Sequence, residues 1–216
     1  MKSTVTAVLA LALAALAAAP LARAGMDDDV RQLQREWEEI KYRKPATEQE
    51  KAYEALSQTA GAVRTKYADR AEPEIWYGII VASYAGAKGG LGALSLAKEA
   101  RQALEHALAI DPKALAGSAY TSLGSLYYQV PGWPIGFGDD KKARELLATA
   151  LTLNPDGIDP NYFLGDFLYR KGDYVGARNA LDRALKAAPR PDRPLADEGR
   201  RKEIQELLAK IRDKSS

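Results

Sequence analysis

Few residues in this sequence are of a type that does chemistry. The 216-residue chain contains one histidine and no cysteine. Without cysteine it forms no disulfide, offers no thiolate nucleophile, and has no acylatable side chain for a lipid tether. His106 lies in an Ala/Leu-rich helical pattern beside Gln102 and Glu105. It has no second histidine or cysteine to share a metal or complete an acid–base set, so it reads as a surface residue. Asp27-Asp28-Asp29 suggests a cation site, but the run stands just ahead of a helical pattern. Contact with a helix N-terminus accounts for three carboxylates there. Gly89-Gly90-Leu91-Gly92 is glycine-rich, yet no strand precedes it and no Lys-Ser/Thr pair follows, so it is not a phosphate loop. No nucleophile elbow or paired zinc motif is present. These residues point away from an enzyme and call for no metal and no cofactor.

The chemistry that remains is that of binding. The segment Val130 to Asp139 combines Trp133, Ile135 and Phe137 with two prolines and three glycines. Proline restricts the backbone, while large aromatic side chains offer contact area. Two readings stay open here: a partner-binding edge, or a local mini-core folded back over the helix ends. Asp139 and Asp140 also suit the N-cap of a helix beginning near Lys141.

The elements that must position these residues are helical and repeated. Ala177, Leu181, Ala184-Leu185 and Pro189 recur 34 residues upstream as Ala143, Leu147, Ala150-Leu151 and Pro155. They recur a further 43 residues upstream as Ala100, Leu104, Ala107-Leu108 and Pro112. Tyr77 with Tyr120, and Tyr84 with Tyr127, align the preceding helices at the same 43-residue step. Small residues at a helix crossing let two backbones approach closely, and proline ends the second helix of each pair. The excess over 34 residues is assigned to insertions between paired helices, at 85–92 and 130–139, which stacking would bring side by side. The period, with Gly165 and the Gly172-Asp173-Tyr174 turn in the third unit, resembles the tetratricopeptide repeat.

That resemblance implies an all-α fold, a right-handed α-solenoid of helix pairs. The units are residues 74–116, 117–157 and 158–191. A degenerate helical pair at 27–69 precedes them, and a capping helix at 195–213 follows. Thr47-Glu48-Gln49-Glu50 reads as a capping box. Arg190-Pro191-Asp192-Arg193-Pro194 reads as a stiff linker into the last helix. There Ile204, Leu207, Leu208 and Ile211 form one stripe, and Arg200, Arg201, Lys202, Glu206 and Lys210 form a charged face. In the family, residues alternating with the packing set face a concave groove. Here these are Thr121, Ser125, Tyr128 and Gln129, then Tyr162, Asp166, Tyr169 and Arg170. They make a tyrosine-bearing, hydrogen-bonding wall unlike the Lys/Asn clamp that holds a C-terminal carboxylate.

Residues 1–24 carry Lys2, an Ala/Leu-rich run and Ala22-Arg23-Ala24 before Gly25, the pattern of a cleaved signal peptide. The expected location is therefore periplasmic, with no stable membrane anchor. Removal of Lys2 and Arg23 leaves 29 basic against 29 acidic residues, so no global field attracts nucleic acid. The expected partner is a protein or peptide. A signal peptide with an insertion-bearing helical array is also similar to the periplasmic T-component of TRAP transporters, which docks a solute-binding protein. This chain departs from that family in lacking the lipidated cysteine.

Overall fold

A computed structural model of the chain describes the backbone of residues 3–215 and the side chains of residues 23–214 other than Leu91. Met1, Lys2 and Ser216 lie outside the described residues, as do most of the side chains on which the signal-peptide expectation rests. Nine α-helices occur among the described residues: α1 Ser3–Arg43, α2 Ala46–Lys66, α3 Ala71–Lys88, α4 Gly90–Ile110, α5 Ser118–Gln129, α6 Asp140–Leu153, α7 Ile158–Arg170, α8 Tyr174–Leu185 and α9 Pro194–Ser215. No strand occurs among them. Consecutive helices pack as pairs and the pairs stack, which makes an all-α solenoid.

The phased residues form the seams. Ala100, Leu104, Ala107, Ala143, Leu147, Ala150, Ala177, Leu181 and Ala184 are all 0% exposed. Each leucine lies over a glycine of the preceding helix. A Cβ on Gly78, Gly124 or Gly165 would come within 2.8 Å of Leu104, Leu147 or Leu181 respectively. These glycines are the small side of a close helix crossing. They also correct the tyrosine alignment: Gly78 and Gly124 are 46 residues apart, not 43, so Tyr77 and Tyr120 do not occupy equivalent positions.

Three local expectations change. The stretch at 85–92 is not a loop. Helix α3 continues to Lys88 and α4 starts at Gly90, so only Gly89, at φ 64°, interrupts the helix. Its left-handed backbone is one that glycine adopts without a steric cost. The capping box is absent, because α2 starts at Ala46 behind Pro45 with no side-chain cap. Proline at this entry satisfies the fixed φ of a helix start, and Gln49 donates instead to the Lys44 carbonyl at 3.1 Å. Asp27–Asp29 lie inside α1, not ahead of it, and there Asp28 pairs with Arg31 and Asp29 accepts from Lys66 and Tyr67.

The last helix also differs from a free cap. Ile204, Leu207 and Ile211 pack on the third repeat, but α9 turns back onto α1 as well. Arg193 donates to Glu38 at 2.5 Å, Lys41 pairs with Glu203 at 3.2 Å, and Tyr42 lies against Gly199. Any side chain at Gly199 would collide with that ring. Arg200, assigned to the charged outer face, is instead buried, and Arg201 donates to the carbonyls of Leu185 and Ala187 at the end of α8. The two ends of the array therefore meet, and the concave side becomes a lumen.

Candidate functional site

The lumen is a half-enclosed cavity of about 1080 Å³, lined by α1, α2, α3, α5, α7 and α9. Its size is at the upper end of small-molecule pockets. Tyr42, Tyr53 and Trp76 line one part, and Trp37 there donates to Ser83 at 2.8 Å. Arg193 reaches the same part, with its guanidinium 4.9 Å from the Trp76 ring centre.

An ion-pair cluster forms another part of the wall. Arg200 donates to Asp159 at 2.9 Å and to Glu203 at 2.7 Å, while Arg190 donates to Asp159 at 2.8 Å and to Asp197 at 2.7 Å. Burial alone would raise the Asp159 carboxyl, but Arg200, Arg190 and Arg193 outweigh it and hold it at about 2. The Arg200 guanidinium lies 4.2 Å from the Tyr162 ring centre and 4.9 Å from that of Phe163. Burial raises the Tyr162 phenol to about 12, although Arg200 opposes the shift.

The groove residues divide. Thr121, Ser125, Gln129, Tyr162, Asp166 and Arg170 line the lumen. Tyr128 is drawn into the helix interface, where it donates to Asp166 at 2.8 Å and lies 5.5 Å from the Phe167 ring. Burial, then the Asp166 charge, pushes its phenol well above the usual range. Gln129 donates to the Tyr128 oxygen at 3.3 Å, and Arg170 to Asp166 at 2.9 Å. Tyr169 does not reach the lumen. It packs against Tyr174 at the α7–α8 turn, with ring centres 5.7 Å apart.

The 130–139 loop also divides: part of it forms the local mini-core, and part of it stands exposed. Phe137 folds inward, edge-on to Tyr127 at 5.4 Å and under the Arg101 guanidinium at 4.5 Å. The base is held by Gly138 N–H to the Pro131 carbonyl and Asp139 N–H to the Tyr127 carbonyl, both 2.9 Å. Asp139 caps α6 by accepting from the amides of Lys141 and Lys142, whereas Asp140 is the first helical residue and pairs with Lys171. Trp133 and Ile135 point outward, 90% and 69% exposed. Neither Trp133 nor Phe137 belongs to the lumen wall.

His106 is exposed on the outer side, 3.4 Å from Glu74, which also pairs with Arg64 at 3.1 Å. Among the described residues no group of three metal-ligating side chains comes together, and no helix is long and apolar enough to cross a membrane. The sequence alone does not mark Asp159, Arg190 and Arg193 as site residues. The only signal for the two arginines is the Arg-Pro-Asp-Arg-Pro segment, whose partners lie up to 155 residues away, and Asp159 has none.

Residues 135–211 match the sequence model of the tetratricopeptide repeat. No curated protein matches the sequence. Among solved structures the chain is similar to TTC0263, a thermophilic TPR protein of Thermus thermophilus. That likeness has a TM-score of 0.57 at 15% identity, over 91% of this chain and 95% of the other. It is also similar to MamA, with a TM-score of 0.45 at 18% identity over 76% and 89% of the two chains. PilF of Pseudomonas aeruginosa matches with a TM-score of 0.36 at 16% identity over 87% and 90%. Residues 135–211 therefore carry the tetratricopeptide-repeat pattern, and the glycine–leucine seams upstream of them repeat the same packing along an all-α solenoid.

Proposed function

We propose that the protein is a periplasmic scaffold that binds a protein partner through the edge loop at Trp133 and Ile135. One observation carries the reading: an exposed tryptophan and isoleucine stand at the tip of a loop whose base is fixed by Phe137 and two backbone hydrogen bonds. A large apolar side chain held ready in water gives a binding hot spot with little ordering left to do on contact. Export agrees with the packing around the expected cleavage point. Arg23 and Ala24 are exposed while Met26 is 1% exposed, so cutting before Gly25 leaves the described core whole.

The test is affinity capture from a periplasmic fraction with the wild type and with Trp133→Ala/Ile135→Ala. The wild-type bait begins at Gly25 on N-terminal sequencing and enriches a defined protein. The double variant melts at the wild-type temperature and loses that protein, by about 2 kcal/mol or more of binding free energy. Equal capture by both baits contradicts the loop's role, and a bait that begins at Met1 contradicts export.

A further inference from the structure

Helix α5 presents Ser118, Thr121, Ser122 and Ser125 to the lumen, a stripe at the i, i+3, i+4, i+7 spacing of one helix face. A face turned toward the inside of a fold is ordinarily apolar. Of these four, only the Ser125 hydroxyl makes a hydrogen bond, to the Ser122 carbonyl at 2.9 Å. Thr121 is only 5% exposed, yet its hydroxyl has no partner among the described residues and opens on the cavity. Its oxygen is not one of the fully enclosed polar atoms without a partner, so it stays open to the lumen and free to bond what fills it.

The charges around it narrow the ligand. Every lysine and arginine in the lumen wall is already paired: Lys41 with Glu203, Arg170 with Asp166, Arg190 and Arg200 with Asp159, Arg193 with Glu38. Among the described residues no cation of this wall is left over for an anionic ligand. Trp37, Trp76, Ile79 and Phe163 supply apolar wall elsewhere in the same cavity.

We propose that the lumen is a binding site for an uncharged small molecule with an apolar body and oxygen acceptors along one edge, and that Thr121 is the residue that anchors it. The Thr121 hydroxyl donates to the ligand, the neighbouring serines extend that edge, and the aromatic wall covers the body. This site is separate from the edge loop, so each can fail without the other.

The probe is Prodan, an uncharged naphthalene ketone whose emission shifts to the blue on leaving water. Wild-type protein binds it saturably at one site. Thr121→Val keeps the shape of the side chain and removes only the hydroxyl. It weakens binding about five- to tenfold while leaving the melting temperature unchanged, because the hydroxyl it removes bonds no protein group. Gly86→Phe is the second variant: Gly86 lines the cavity and a Cβ there meets nothing within 4 Å, so the position admits a side chain that can fill the lumen. It abolishes binding in a folded protein. Anilinonaphthalene sulfonate, of similar size but negatively charged, does not compete. The proposal is overturned if Prodan fails to bind, if both variants bind it as the wild type does, if the sulfonate competes equally, or if Thr121→Val lowers the melting temperature without changing affinity.

Discussion

Arg200→Ala destabilises the protein by about 3–5 kcal/mol, the loss expected when one member of a buried charge pair is removed. Arg200 is buried between Asp159, Glu203 and the faces of Tyr162 and Phe163, so nothing nearby replaces it. Asp159 keeps Arg190, which prevents a fully isolated charge. The substitution also changes the acid limb of the stability curve. In the folded protein the Asp159 carboxyl lies at about 2, below the ~3.9 of an unfolded aspartate. A carboxyl with a depressed folded-state value contributes stability that is complete above the unfolded value and is lost as pH falls through the folded one. The wild type therefore loses roughly 2 kcal/mol between about pH 4 and pH 2 from this group. Arg200→Ala starts lower and loses less over that window. Urea melts at pH 7 and at points down to pH 2.5 measure both effects. A variant with wild-type stability and an unchanged acid limb contradicts the place given to Arg200.

The second large effect belongs to the repeat seam. Leu181→Ala leaves a cavity at a position with no exposure and costs about 2–5 kcal/mol. Gly165→Ala adds one methyl 2.7 Å from two Leu181 carbons, so the array overpacks by about 1–3 kcal/mol. Alanine is the better helix former by at most ~1 kcal/mol, and the collision outweighs that gain. The double variant puts the added methyl into the space the leucine has left, so its cost is smaller than the sum of the two single costs by about 1 kcal/mol or more. Chemical denaturation of the four proteins closes the cycle. Additive costs contradict the assigned contact, and with it the phase of all three seams.

The seams were legible because they are made of small residues at fixed spacings, and spacing survives in a sequence. Ala143, Leu147 and Ala150 announce themselves through Ala177, Leu181 and Ala184. The glycines opposite them are harder to read, since Gly78 and Gly124 are separated from their partner helices by extensions of different length. The glycine-rich stretch at 85–92 misled for a related reason: glycine suggested a loop, but Ala and Leu on both sides carry the helices through it. Closure of the array had no local signature at all. Arg193 and Glu38 are each ordinary charged residues, and only the curvature of the intervening helices brings them together. The same curvature separates Tyr169, which packs on Tyr174, from Tyr162, which reaches the lumen. In the edge loop, composition showed that aromatics were present but not which of them pointed inward. Tyr127 and Arg101, the groups that hold Phe137, lie on two different helices.

The closed ring is the claim on which the lumen depends, and the absence of cysteine makes it directly measurable. Lys41 and Glu203, an ion pair at 3.2 Å across the α1–α9 junction, are replaced together by cysteine and treated with a short bis-maleimide. A ring gives near-complete intramolecular cross-linking in the folded monomer, lost in urea and absent in either single-cysteine protein. An array that stays open, with native helicity and no cross-link between these positions, would contradict it.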